Sequence, residues 1–206
     1  MSPDFIYFDL GKVLLAFDHR RAARQMAEVA GIAEERVWEV VFESDLERRA
    51  ESGQIDGREF YEQFCSETGT RPDYDALEWA GSAIFDTNTR MLPIVVHLWM
   101  AGYRLGILSN TCQSHWEYCT SGHFATIPSL FEQTVLSYKV GVMKPAPKIY
   151  QVAADEAGVA PEEIFFMDDR AENVEGALAA GFDAVLFTTA EQLAKDLRRK
   201  GVQFNY

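Results

Sequence analysis

A chain of 206 residues with 48% hydrophobic content can bury a substantial core, which excludes an intrinsically disordered protein. Its 32 acidic against 19 basic residues give a formal charge of −13, and no run of Lys or Arg is long enough to track a phosphate backbone, so nucleic acid is not an expected partner. The opening "MSPDFIYFDL" lacks the basic and long apolar regions of a secretory leader, and "MLPIVVHLWMAG" is too short to cross a bilayer; the expectation is a soluble, cytoplasmic protein without membrane contact. Cys65, Cys112 and Cys119 are too sparse and too odd a set for a disulfide framework, which fits a reducing compartment.

In chain order, the first expected strand is the apolar run Phe5, Ile6, Tyr7, Phe8, which stops abruptly at Asp9 and is followed by Gly11. Residues 19 to 86 carry helical patterns, "HRRAARQMAEVAG", "EERVWEVVFES" and "GREFYEQFCSETG", punctuated by Gly31, Gly53, Gly57 and Gly69, and no strand is expected among them. From residue 88 the rhythm becomes helix then strand: "TRMLPIVVHLWMAG" before "YRLGILS", "PKIYQVAADEAG" before "IFFMD", and "ENVEGALAAG" before "DAVLF". This predicts an α/β protein with a Rossmann-like, doubly wound parallel sheet in two pieces, residues 1–17 and 87–206. Residues 18–86 form a helical insertion between them.

Open α/β sheets bind ligands at the carboxyl ends of their strands. The expected strands end at Asp9, at Ser109 and Asn110, and at Asp168 and Asp169, while Lys144 sits in "GVMKPAPKIY" ahead of a helix. Each of these alone has an ordinary explanation: a turn, a helix cap or a solvated lysine. Together they place three carboxylates, a hydroxyl and a lysine at one sheet mouth. A buried carboxylate such as Asp9 needs a partner, and a hard cation such as Mg²⁺ takes oxygen ligands from carboxylates, phosphate and water. A carboxylate can also attack phosphorus, dividing one displacement into two, while Ser109, Lys144 and backbone N–H groups near Gly11 stabilise the phosphoryl oxygens.

The four segments "FDLGKVL", "LSNT", "KPAPKIY" and "MDDRAENVEGA", in this order and spacing, resemble the motifs of the haloacid dehalogenase-like hydrolases across nearly the whole chain. The resemblance implies that Asp9 is nucleophile and metal ligand and that the Gly11 carbonyl is a further ligand of Mg²⁺. It makes Ser109 and Lys144 phosphate binders and Asp169 the principal acidic ligand, with Asp168 beside it. Asn110 and Asn173 are similar to positions that contact substrate or hold a loop, and the insertion looks like a substrate-selecting helical cap. The implied activity is hydrolysis of a small phosphate ester, and "FDLGxVL" followed by Asp18 is similar to a bacterial branch that includes α-D-glucose-1-phosphate phosphatase, pointing to a sugar phosphate.

Most phosphatases of this family carry a second Asp where this chain has Gly11, so Asp18 or a water is the candidate to move the proton. Two other readings fit the same residues: a 2-haloacid dehalogenase, disfavoured by the Asp168 and Asp169 pair, and a catalytically weak phosphometabolite-binding protein.

Two other segments invite competing interpretations. "CQSHWEYCTSGH" spaces Cys112, His115, Cys119 and His123 as a helix would, yet Ser121 and Gly122 interrupt it, so a short helix with buried thiols is expected rather than a zinc site. In the insertion, Arg48, Arg49, Glu51, Tyr61 and Phe64 are possible substrate contacts, set against the ordinary reading of a wet helix face. Trp38, Trp79, Trp99 and Trp116 are read as packing residues. The sequence carries no signal for an oligomeric state.

Overall fold

The computed structural model describes residues 2–124 and 126–205. Strand β1 (Phe5–Phe8) is followed by a tight turn and β2 (Leu15–Phe17). Helices α1 (His19–Ala30), α2 (Glu34–Trp38, continued by a π turn over Glu39–Glu43), α3 (Leu46–Glu51), α4 (Gly57–Thr68) and α5 (Tyr74–Ser82) come next, and β3 (Phe85–Thr87) brings the chain back. The remainder runs α6 (Leu92–Met100), β4 (Arg104–Ser109), α7 (Gln113–Tyr118, continued by Cys119–His123), β5 (Gln133–Leu136), α8 (Ser137–Val140), α9 (Pro147–Ala157), β6 (Ile164–Asp168), α10 (Ala171–Ala179), β7 (Asp183–Leu186) and α11 (Ala190–Arg199).

The main sheet is parallel with order β5-β4-β1-β6-β7, so β1 is its centre. That position explains the unbroken apolar run: Ile6 and Phe8 pack on the face covered by α6 and α11, while Phe5 and Tyr7 pack on the face covered by α9 and α10, and all four are fully buried. At about 1.5–3 kcal/mol per large apolar side chain, this strand is a main source of core stability. The register is equally consequential. Phe8 pairs with Ile107 of β4 and with Met167 of β6, so one residue further on Asp9 is level with Leu108 and Asp168.

The inserted helices have their own core, built from Met26 of α1, Val37 of α2, Leu46 of α3, Phe64 of α4 and Leu77 of α5. Their ends follow local rules. Asp18 caps α1 by accepting from Arg20 N, and Gly31 ends it in the left-handed conformation. Asp56 and Glu59 form a reciprocal capping box on α4.

Three strands lie outside the sequence expectation. β2 and β3 form an antiparallel ribbon, with Ala16 opposite Asp86, where the chain leaves and re-enters the main sheet, so Phe85 and Asp86 are strand residues inside a segment expected to hold none. Three-residue strands are too short for periodicity to register. β5 is missed because its apolar run is just Val135 and Leu136, after the half-buried polar Gln133 and Thr134. The packing expectation for the tryptophans holds for Trp116, in the main core, and for Trp38, partly buried against the cap core, but Trp79 and Trp99 are 54% and 52% exposed. No helix among the described residues is long and apolar enough to cross a membrane.

Candidate active site

Because β1, β4 and β6 run in level register, their carboxyl ends deliver Asp9, Ser109 and Asp168 to one mouth. All three are nearly inaccessible, at 7%, 2% and 0% exposure. The loop entering α9 adds Lys144, whose ammonium lies between two carboxylates, 2.9 Å from Asp9 Oδ1 and 2.6 Å from Asp168 Oδ2, and also donates to Leu108 O at 2.8 Å. Its three N–H donors are thereby matched. Asn110 fixes the lysine by clamping its backbone: Lys144 N donates to Asn110 Oδ1 at 2.8 Å, and Asn110 Nδ2 donates to Lys144 O at 3.0 Å. The Asn110 side chain, expected to contact substrate or hold a loop, thus holds the loop that carries the lysine.

Asp168 is surrounded by donors. Arg170 N and Asn173 Nδ2 reach its Oδ1 at 2.9 Å, and Asn173 Nδ2 also lies 3.0 Å from Oδ2 beside the lysine. Asn173 is held in turn by α9, since Tyr150 donates its phenolic O–H to the Asn173 carbonyl at 2.7 Å. Asp169, one residue on, faces outward and meets Lys12 Nζ at 3.5 Å. Of the two acidic neighbours, Asp168 is saturated and Asp169 is the one with room for another ligand. Carboxylate oxygens of Asp9, Asp168 and Asp169 all lie within 4.8 Å of one another.

Burial pushes the Asp9 carboxyl up to about 6, with Asp168 adding to the rise and Lys144 opposing it. Burial works against the Lys144 ammonium as well, but Asp9 and Asp168 outweigh it and hold its pKa above the ordinary lysine value. Three carboxylates facing the buried Lys144 and the exposed Lys12 form a set still short of positive charge, and an all-oxygen cluster of this kind fits Mg²⁺.

The turn after Asp9 is set by Lys12, which adopts the left-handed conformation and donates its N–H to Leu15 O at 2.6 Å. Gly11 in this turn lies under the ring of Phe17: a Cβ at position 11 would stand 2.7 Å from Phe17 Cε1. Asp18, expected to support the chemistry, uses Oδ1 to cap α1 through Arg20 N at 2.9 Å. Of the cap residues, Arg48 pairs with Asp45, Arg49 with Gln63, Tyr61 donates to Pro72 O and Phe64 is fully buried in the cap core, while the Glu51 carbonyl accepts from Ser137 Oγ. Cys112 and Cys119 are buried thiols flanking a short helix that Gly122 breaks. Among the described residues, the cluster close enough to share an ion is the Asp9 group. Ser137 carries no signal in the sequence: its hydroxyl accepts from Thr111 N at 2.9 Å and steadies the loop after Ser109, a role that depends on the end of β5, whose short apolar run does not read as a strand.

This geometry is that of a hydrolase site built from buried carboxylates and a lysine at the carboxyl edge of a parallel sheet. A family model described as haloacid dehalogenase-like hydrolase matches residues 4–181, and the chain belongs to that family. It is 24% identical over 183 residues to D-ribitol-5-phosphate phosphatase of Bacteroides thetaiotaomicron, covering 86% of this chain and 88% of that one. It is 30% identical over 175 residues to glyceraldehyde 3-phosphate phosphatase of Methanopyrus kandleri, covering 81% and 73%. Among solved structures, a HAD family enzyme of Bacteroides thetaiotaomicron in complex with magnesium and inorganic phosphate superposes with a TM-score of 0.79 at 25% identity, covering 91% of this chain and 95% of that one.

Proposed function

We propose that the protein is a Mg²⁺-dependent phosphatase that hydrolyses a small sugar or polyol phosphate through an aspartyl-phosphate on Asp9. The observation that carries this reading is the cluster of Asp9, Asp168 and Asp169 around Lys144 at level strand ends. Asp9, Asp169 and the Gly11 carbonyl would hold the ion, with Asp168 adjacent. When bound, Mg²⁺ supplies charge neutralisation for the phosphoryl oxygens and keeps Asp9 ionised. Lys144 orients Asp9 and adds its positive charge, while Ser109 and the Asn110 loop receive the phosphate.

The two relatives' names supply the substrate class, since both act on phosphates of short sugars or polyols. Residues 1–17 and 87–206 form the catalytic core and residues 18–86 the cap; the β2–β3 ribbon at that boundary supports the division. Three unpaired, buried cysteines suit a cytoplasmic setting, and the charge of −13 suits a small-molecule partner over nucleic acid.

The reading is tested by phosphate release from ribitol 5-phosphate, glyceraldehyde 3-phosphate, glucose 1-phosphate and related esters, with and without Mg²⁺, for wild type and Asp9→Asn. Mg²⁺-dependent release that vanishes in the variant supports it. Halide release from 2-haloacids without Mg²⁺ would instead make the protein a dehalogenase, and tight ester binding without turnover would make it a binding protein.

A further inference from the structure

A phosphoryl group that departs from an alkoxide needs a proton delivered to the leaving oxygen, and such help is typically worth 10²–10⁴-fold. Among the described residues, the core groups expected to take this part are committed elsewhere. Lys144 has its three N–H groups committed to Asp9, Asp168 and Leu108 O. Position 11 has no side chain, and Phe17 fills the space one would need. Asp18 is turned to the α1 backbone. The inserted helices carry the further candidates.

Helix α3 is docked on the phosphate-binding loop by its C-terminal end. Ser137 Oγ donates to the Glu51 carbonyl at 2.5 Å while accepting from Thr111 N at 2.9 Å, so one hydroxyl ties Glu51 to the segment that follows Ser109 and Asn110. Two residues later Gly53, at φ +69°, sits so close to Tyr138 that a Cβ there would run into the Tyr138 carbonyl. At this docked end of α3, the half-buried Glu51 carboxyl lies within the electrostatic influence of His115 of α7, Arg170 at the start of α10 and Lys144, with Glu47 one turn earlier on its own helix. Burial is the dominant influence on Glu51 and raises its pKa above the ordinary range, although His115, Arg170 and Lys144 pull it down.

The neighbouring candidates are less suited. Burial lowers His19 to about 4, with His115 and Lys12 adding to the effect against Asp18, so at neutral pH its imidazole has no acid proton to give. Glu47 rises to about 7 through burial and the nearby Glu51, but its Oε1 lies 3.3 Å from His19 Nε2. His115, raised to about 9 against its burial by Cys112, Glu47 and Glu51, is paired with the Cys112 thiol.

We propose that Glu51 is the general acid and base of this site, reaching across from the cap to the leaving-group oxygen. The proposal rests on the phosphatase reading above. In the first half-reaction an Asp9 carboxylate oxygen bonds to phosphorus, the bond from phosphorus to the leaving oxygen breaks, and that oxygen takes the Glu51 proton with its electron pair. In the second, a water oxygen bonds to phosphorus, the bond to Asp9 breaks and returns its electron pair to the carboxylate, and Glu51 takes the proton from water.

The test compares wild type and Glu51→Gln in kcat/KM, which reports the first half-reaction, across p-nitrophenyl phosphate, phenyl phosphate and glycerol 1-phosphate. A lost proton donor lowers hydrolysis of the glycerol ester by about 10²–10⁴-fold and leaves the nitrophenyl ester, whose leaving oxygen needs no proton, little changed. The alkaline fall in the wild-type glycerol profile should also disappear in the variant. Equal loss on all three esters in a variant that melts like wild type, or no loss on any, overturns the assignment. If Glu51→Gln does not fold, the wild type decides: a steep dependence on leaving-group basicity that is the same at every pH overturns it, and a shallow one below the alkaline limb supports it. Absence of turnover of every ester by wild type would instead remove the phosphatase reading itself.

Discussion

The sheet mouth and the cap face above it are built by different physics. At the mouth, Asp9, Asp168 and Lys144 are locked by strand register and matched donors, with the Lys144 and Asp168 side chains at 1% and 0% exposure. On the cap, Glu47 and His19 sit on helix faces, at 23% and 34% exposure, and their neighbours are set by how the helices lie on the core. On the proposed function, bond chemistry would sit where the backbone leaves least freedom, and selection and proton transfer where a face can be altered without disturbing the sheet.

The largest effect should come from the mouth. Asp9→Asn is expected to abolish phosphate release while leaving the fold intact, read by a phosphate assay beside a thermal melt. Lys144→Met leaves two buried carboxylates without their cation and should cost about 3–5 kcal/mol in urea unfolding, with a smaller loss when Asp9→Asn is already present, because the two sites share one network. An unchanged midpoint would mean that the network does not hold the mouth together.

Mg²⁺ should sharpen the same contrast through pH. A carboxyl raised from its ordinary value to about 6 favours folding in its protonated form; that contribution is full below about pH 4 and is lost as pH rises through about 6. Ion binding needs Asp9 deprotonated, so the stabilisation by Mg²⁺, about 2.7 kcal/mol at a hundredfold excess over Kd, should be present at pH 7.5 and much reduced at pH 5. Equal shifts in melting temperature at both values would contradict this.

On the cap side, Gly53→Ala places a Cβ against Tyr138 at a left-handed position and should cost about 1–3 kcal/mol, loosening the docking of α3 without affecting the core carboxylates. It is read as faster hydrogen exchange in α3 than in β1. Arg48→Ala, which removes an exposed pair with Asp45, should change stability by no more than about 0.5 kcal/mol and leave kcat/KM unaltered.

Much of the molecule is legible in the order of its residues. The FIYF run ending at Asp9, the SNT and MDD strand ends and the lysine before a proline are local signals, and local signals survive without the fold. β2 and β3 were illegible because three residues carry too little periodicity and the ribbon they build is defined by the partner strand, and β5 because only its last two residues, Val135 and Leu136, are apolar.

The sequence alone determined the fold class, the helical insertion and the identity of the acidic and basic groups, because strand and helix patterns and the residues that end them are properties of neighbours in the chain. Tertiary structure alone decided that Asp9 and Asp168 are level, that Phe17 covers Gly11, that Asn110 holds Lys144 and that Ser137 ties Glu51 to the Thr111 loop. Those relations join residues up to 159 positions apart in the chain (Asp168 minus Asp9), and only strand register and helix docking bring such distant groups within hydrogen-bonding range.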